Sequence, residues 1–544
     1  MNVETATEHE RTSGWAPLAR PLFRDRWLAS IVSNLGSWMQ DTAGTWLMTA
    51  LTASPLLIAL MQTAASLPVL MLGLPAGATA DIFDRRKLLI FWQAWMLGTV
   101  ALLSVLTLSG VIGPWTLLCL TFLLNVGSAM NNPAWQAIVP ELVPRAELPE
   151  AIALNSAGFN LARAVGTALG GLAMAFFHSI STGAGSVFLF NSASFLAVIW
   201  VLYAWHRTPL FKSALPAERV FGSMRAGVRY VRHSPELQSV LLRVVLFASF
   251  ASSVWALLAV VARVELHLGA VGFGALNGCL GAGAVLGAAA MPNVRRRVGA
   301  ETVAAVCTVV FASTMLVLAF TQSLPLIVLW LILAGGAWTS NMSTMNTAVQ
   351  LSVPAWVQAR ALGTYQMVFA GGMALGSALW GVLAEHLSAR VALASAAVGI
   401  LLTLPVIRRL PLMRGTLPDL TPFAPNLAAP QVVVELDPEV GPVLITIEYR
   451  IGPEDLDEFT HAIHQLRRIR MRDGAVRWGV FQDLSNPERL VENFVCASWL
   501  DFLRARERMT AADRVVRDHL KRLHQGPGEP QVSRMIYVSE RDKV

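Results

Sequence analysis

Charge is scarce in this sequence. Asp, Glu, Lys and Arg make up 14% of its 544 residues, against about 25% in soluble domains. A mean hydropathy of +0.53 points the same way, and together they exclude an ordinary soluble fold. Cysteine is nearly absent: Cys119, Cys279, Cys307 and Cys496 are the four, none at metal-ligand spacing and three within apolar runs, so no zinc site and no disulfide framework are expected. No G-x-x-x-x-G-K-[ST] phosphate loop occurs, which argues against an ATP-driven pump. Residues 1 to 26 lack the apolar stretch of a cleavable signal peptide, so the first apolar run is expected to serve as the insertion signal. No motif asks for a cofactor.

What is present is length without charge. Apolar runs near the roughly 20 residues needed to cross a bilayer cover about 27–50, 55–80, 88–110, 114–137, 150–177, 186–205, 237–264, 270–292, 301–321, 325–349, 358–385 and 389–408. They predict an all-α polytopic membrane protein of twelve transmembrane helices. The chain also repeats at an offset of 210: Gly77 falls on Gly287, Arg85-Arg86-Lys87 on Arg295-Arg296-Arg297, Asn131 on Asn341, Val143-Pro144 on Val353-Pro354, Gly166 on Gly376 and Gly171 on Gly381. Two parallel six-helix repeats are the architecture of a transporter that rocks one half against the other.

Lys and Arg are retained on the cytoplasmic side. Arg20, Arg24 and Arg26, the run Arg85 to Lys87, the stretch Arg207 to Arg232, the run Arg295 to Arg297, and Arg408 with Arg409 all fall on one side of this topology. The opposite connections, around Ala53, Gly113, Gly183 and Ser323, carry none, and only Arg263 and Arg390 approach that face. Both termini are therefore expected in the cytoplasm. The sequence pI near 9.6 is accounted for by these loops, so no nucleic-acid partner is expected. The domain boundaries are a cytoplasmic tail over 1–26, a first half over 27–206, an inter-half segment over 207–236, a second half over 237–410, a proline-rich linker over 411–430 and a soluble α+β domain over 431–544.

The loop after the second run, Gly77-Ala78-Thr79-Ala80-Asp81-Ile82-Phe83-Asp84-Arg85-Arg86-Lys87, resembles the hallmark loop of the major facilitator superfamily, G-x-x-x-D-R-x-G-R-R/K, with Ile82 in place of the first Arg and Asp84 in place of the second Gly. The stretch Pro140-Glu141-Leu142-Val143-Pro144, Asn155, Asn160-Leu161-Ala162-Arg163, Gly166 and Gly170-Gly171, with Trp38-Met39-Gln40, is similar to the branch that contains the enterobactin exporter and related secretion proteins. The resemblance covers roughly residues 20–410. It implies the major facilitator fold and a multi-pass efflux permease of the bacterial inner membrane. It further implies proton antiport that exports siderophores, drugs or similar amphipathic small molecules. It also implies that Gly77, Asp81, Asp84, Arg85, Arg86 and Lys87 latch the cytoplasmic side in one of two alternating states.

Hydrogen-bonding groups are costly in lipid and should face a cavity or another helix. Polar residues at helical spacing, Ser30, Asn34, Ser37, Asp41 and Thr45, then Asn125, Ser128, Asn132 and Gln136, then Ser156, Asn160, Arg163 and Thr167, mark one face each of the first, fourth and fifth runs. Asn341, Tyr365 and Gln366 add to them from the second half, with Trp38 available to stack on an amphipathic ligand. Asp41 and Arg163 stand out as charges deep in apolar runs. A membrane carboxylate can cycle between charged and neutral forms, which makes Asp41 the expected proton carrier and Arg163 its partner. A permanent ion pair locking the two helices, or an Asp41 near enough to an interface to stay solvated, is the competing reading. The glycines from Gly272 to Gly287 and from Gly363 to Gly381 suit close helix packing.

Beyond the linker, alternation over Val443–Arg450 predicts a strand. A helix over Pro453–Met471, strands over Ala475–Asp483 and Asn493–Trp499, a helix over Asp501–His524 and a strand over Gln531–Ser539 follow. This βαββαβ order is that of a ferredoxin-like sandwich and resembles the antibiotic-biosynthesis monooxygenase domains, which implies possible dimerisation through this domain. His461, His464, His519, Trp478 and Trp499 are its nominable polar and aromatic groups. An importer on the same fold, or a membrane-anchored cofactor-free monooxygenase, are the alternatives to efflux.

Overall fold

The structure, a computed structural model, describes residues 15–144, 147–177, 179–204, 220–354, 356–410, 412, 419–421 and 439–538. The expected tail before residue 15, most of the linker and the basic residues before 220 lie outside the described residues. The chain divides into two compact units: residues 1–215, 242–345 and 363–410 form the first, and 216–241, 346–362 and 411–544 the second.

Twelve long helices occur among the described residues: α1 (Pro21–Leu51), α2 (Pro55–Ile82), α3 (Arg85–Leu108), α4 (Pro114–Leu142), α5 (Leu148–Phe176), α6 (Ile180–Ala204), then, after the short amphipathic α7 (Val220–His233), α8 (Pro235–Val260), α9 (Ala270–Arg297), α10 (Ala300–Phe320), α11 (Leu324–Leu351), α12 (Gln358–His386) and α13 (Ala389–Arg408). Ten are long and apolar enough to cross a membrane; α1 and α4, which carry two of the three polar stripes, are the two outside that set. Proline opens α1, α2 and α4, where its missing N–H has no helical partner to lose. The repeat recurs in the punctuation, since Val143-Pro144 follows α4 and Val353-Pro354 follows α11.

We call the end where α1 begins and α13 finishes the near end. At the far end the two halves meet. Glu385 at the end of α12 accepts from Ser54 Oγ at 2.7 Å and from the Leu56 amide at 3.2 Å, Thr63 donates to the Ala374 carbonyl at 2.9 Å, and Arg263 reaches the carbonyl and hydroxyl of Thr49. Arg390, the other far-end cation, pairs with Glu265. Along α5 and α9, Gly171 and Gly274 allow backbone contact, since a Cβ on Gly274 would lie 2.7 Å from Gly171 Cα. Toward the near end α2 and α12 part: Gly73 still lies against Met367, but a Cβ at Gly77 or Gly363 would have nothing within 4 Å.

Near-end loops are tied to helix ends by cations. Arg20 forms a bidentate pair with Glu147, both bonds 2.9 Å, which holds α1 to the start of α5. Arg86 donates to the Leu202 and Tyr203 carbonyls at the end of α6, where partial negative charge gathers. Asp84, the departure from the hallmark pattern, caps α3 by accepting from the Lys87 amide at 3.0 Å. Arg243, buried on α8, pairs with Glu301 at 2.8 and 3.0 Å and donates to the Ile407 and Leu410 carbonyls.

The second unit is built on a four-stranded antiparallel sheet in the order β2-β3-β1-β4, from β1 (Val443–Arg450), β2 (Ala475–Gln482), β3 (Arg489–Cys496) and β4 (Gln531–Ile536). Helices α14 (Leu456–Asp473), α15 (Trp499–Glu507) and α16 (Ala511–Leu523) cover the face formed by Val443, Ile445, Ile447 and Tyr449 with Leu490, Phe494 and Cys496. Two expectations are corrected here. The third strand begins at Arg489 rather than Asn493 and ends before Trp499, because Ser498 accepts from the Asp501 amide and starts a helix at Trp499. The expected single helix over Asp501–His524 is two, because a capping box between Thr510 and Asp513 starts a new helix there.

This unit also holds α7 and the turn between α11 and α12. Arg472 pairs with Asp473 and Asp513 at 2.8 and 2.6 Å and lies 5.5 Å over the Tyr230 ring. Arg508 lies 4.4 Å over Trp356, and Tyr230 meets Trp356 edge to face.

Candidate functional site

The central cavity of the first unit is lined by Trp38, Gln40, Asp41 and Thr45 of α1, Gln62 of α2, Thr121 of α4, Arg163 and Thr167 of α5, Trp255 of α8, and Phe273 and Asn277 of α9. Both halves contribute. It lies among the helices that meet at the far end, so its residues sit where motion of one half against the other changes their surroundings.

Asp41 opens onto this cavity with its side chain exposed. Arg163 faces the same space from the neighbouring helix, its guanidinium 5.6 Å from the centre of the Trp38 ring, an attractive cation–π arrangement. Trp38 in turn meets Phe159 edge to face at 5.9 Å, and Trp46 stacks on Phe273 at 5.5 Å across the two halves. Opposite charges thus share one cavity, while no hydrogen bond or ion pair joins Asp41 to Arg163 among the described residues. The permanent lock between α1 and α5 is not the arrangement seen. Asp41 is left able to gain or lose a proton without breaking a salt bridge.

The structure brings Trp38, Asp41 and Arg163 together. It sends Asn34 and Asn132 to a second cavity beside them. Asn125 donates back to the Thr121 carbonyl, Asn160 to the Ser156 carbonyl and Gln136 to Asn132. Asn341 is buried, Tyr365 is buried with its hydroxyl 3.4 Å from the Met342 carbonyl, and Gln366 is exposed. Of the loop residues, Gly77, Asp84, Arg85, Arg86 and Lys87 lie at the near end as described, and the Asp81 side chain lies outside the described residues. Sequence reasoning missed Gln62, Trp255, Phe273 and Asn277. The signal for Gln62 and Asn277 was a lone amide within an otherwise apolar run.

In the second unit His464 and Trp478 meet edge to face at 5.6 Å, and the other nominated residues take separate partners. Trp478 donates to the fully buried Glu492, which also pairs with Arg470 at 3.1 Å. His464 contacts the Thr460 carbonyl, His519 faces Glu458, and Trp499 packs on Phe502. Among the described residues no group of three His, Cys, Asp or Glu side chains could hold a metal ion.

Comparison with known proteins decides the family, since the one described as transmembrane secretion effector matches residues 12–543. The chain belongs to this family of major facilitator transporters. Relatives include the uncharacterised major facilitator-type transporter YfiS of Bacillus subtilis, 31% identical over 42% of this chain and 56% of that one. The staphyloferrin A transporter of Staphylococcus aureus is 27% identical over 28% and 39%, and the multidrug efflux pump Tap of Mycolicibacterium fortuitum 27% over 66% and 88%. The chain thus spans about half the length of the first relative and two fifths of the second. Among solved structures, a mutant of the nucleoside transporter NupG aligns with a TM-score of 0.59 at 13% identity, over 72% of this chain and 99% of that one. A bacterial homologue of the lysosomal transporter Spinster, inward-facing and occupied, aligns at 0.58 and 13%, over 72% and 97%. Both share the fold of the transmembrane secretion effector family member described here.

Proposed function

We propose that the protein is an exporter that couples the outward movement of an amphipathic small molecule, a siderophore or a drug, to the inward movement of protons. The observation that carries this reading is the shared cavity of Asp41 and Arg163, unpaired and reached by both halves. An ionised Asp41 gives an amphipathic cargo a carboxylate to bind beside the Arg163 guanidinium and the Trp38 ring. A proton on Asp41 neutralises that carboxylate and weakens the cargo's hold, so proton and cargo take the site in turn, as exchange requires. The efflux function printed for the relative from Mycolicibacterium supports the direction. The positive-inside pattern supports a bacterial inner-membrane protein with both termini in the cytoplasm. On that orientation the far-end contacts close the outer face and the parting of α2 from α12 opens the inner one.

For the second unit we propose a ferredoxin-like domain that serves dimerisation rather than catalysis. The strand order supports the assignment, and the open face of the sheet, with Phe481 and Met535 exposed on it, supports pairing with a second copy.

The test is efflux from energised cells of a panel of siderophores, dyes and antibiotics, with and without an uncoupler. Wild type is expected to show uncoupler-sensitive efflux that Asp41→Asn abolishes while the protein remains in the membrane. Unchanged efflux in Asp41→Asn would remove Asp41 from the mechanism.

A further inference from the structure

Two cavities lie in series along α1. The central one begins at Trp38, and the second, of about 180 Å³, takes Ser30, Ser33, Asn34 and Ser37 from the same helix, on the near-end side. At 1.5 Å rise per residue, Asn34 and Asp41 stand roughly 10 Å apart along the axis. The neighbouring helices keep this order, since α5 gives Phe159 to the second cavity and Arg163 to the central one, and α3 gives Gln93 to the second and Leu103 to the central one. Between them stand the Trp38–Phe159 pair and Asn191, fully buried, which donates to Gln40 at 2.6 Å.

The second cavity differs from the first in chemistry. Its lining is hydroxyl, amide and aromatic apart from Met96 and Val198, with no Asp, Glu, Lys, Arg or His. Gln93 is 4% exposed; its amide nitrogen reaches Asn131 Oδ1 at 3.5 Å, while its Oε1 is buried without a protein partner. An unpaired buried acceptor is costly, and a hydroxyl or amide N–H on a ligand would satisfy it. A charged ligand would lose its hydration here and meet no charged lining side chain; Arg26, outside the lining, is engaged by the ring and carbonyl of Trp135. Trp135 and Phe159 offer apolar walls to the rest of the molecule.

We propose that this cavity is a second binding site, in front of the charged one, for an uncharged hydroxyl- or amide-rich group carried on an aromatic or apolar body. The inference rests on the transporter reading only in taking the occupant to be cargo, since occupancy can be measured without transport.

The experiment uses the full chain in lipid nanodiscs, with Cys119, Cys279, Cys307 and Cys496 replaced by Ala and Ser33→Cys as reporter. N-ethylmaleimide alkylation is timed in the presence of phenyl β-D-glucoside, phenyl phosphate or phenyltrimethylammonium, three probes with one ring and different heads. The glucoside is expected to slow alkylation about tenfold at ten times its Kd, and the two charged probes to leave it unchanged. Gln93→Leu, or Asn132→Leu where that variant is poorly folded, is expected to restore the rate with glucoside present and leave the rate without it unchanged. Equal protection by all three probes, no protection by the glucoside, or a thiol unreactive at position 33 and again in Ser128→Cys would overturn the proposal. Loss of efflux with glucoside protection intact would instead count against the transporter reading alone.

Discussion

At the scale of single residues, the site is set by what Arg163 does in place of an ion pair. Its guanidinium lies over Trp38 rather than on Asp41, so the planar cation holds a ring in place while leaving the carboxylate available. Arg163→Lys is expected to retain transport with affinity weakened by about tenfold, the loss of a partly desolvated cation–π contact. Arg163→Gln is expected to abolish transport, and efflux titrated against cargo concentration separates the two. Both charges were legible in the sequence, because a charge deep in an apolar run has few bland explanations. That they do not touch was not legible, since helical spacing gives the face of a residue and not its reach.

A second residue-scale prediction concerns His524. The Arg450 amide donates to its Nδ1 at 2.9 Å, which requires a ring nitrogen without a proton. Burial, with the nearby Arg450 charge, holds its pKa below the ordinary 6.5. The folded state therefore binds fewer protons than the unfolded one below pH 6.5. The stability linked to this group is fully present above that pH and is lost as pH falls toward the lowered folded value. Hydrogen exchange at the Arg450 amide, corrected for its intrinsic rate, should quicken on acidification through that window. In His524→Ala it should be fast at every pH.

At the scale of elements, local chemistry decided where the sequence reading held and where it slipped. The helix over Ala389–Arg408 and the strand over Val443–Arg450 are found at the predicted residues, because Ser388 caps the first and the second alternates from Ile445 on. The third strand slipped because Glu492 occupies a core-facing position between Leu490 and Phe494. A charge there conceals the alternation, and only the fold reveals Arg470 and Trp478 waiting for it. The last helix was read through the Thr510 capping box as though continuous. Thr510→Ala should cost about 1 kcal/mol, seen as faster exchange along α16 with α13 unaffected. The glycines of α5 and α9 were legible as packing residues, yet their meeting across the halves was not. Gly274→Leu would force its side chain into the α5 backbone at Gly171. It should hold the far ends apart, with a longer spin-label distance there and transport lost.

At the scale of the whole molecule, the repeat carried most of the information. An offset of 210 residues with no gap from Gly77 to Gly381 implied two like halves, and a duplicated half must match its partner helix for helix. What the sequence could not supply is the state of the transporter, because either closure uses the same helices. Here the far end is closed by Glu385, which accepts from Ser54 and Leu56. Such charge-assisted bonds contribute about 1.5 kcal/mol each, the low end for an exposed group. Glu385→Ala should therefore shift the population toward the opposite state, read as a broader distance distribution between labels on α2 and α12. The central claim, that Asp41 exchanges a proton for cargo, is tested most directly in proteoliposomes carrying a lumenal pH dye. A cargo gradient should move protons in the opposite direction with wild type, and the signal should vanish in Asp41→Asn. Equal proton movement in both proteins, or cargo transport with none, would contradict the account.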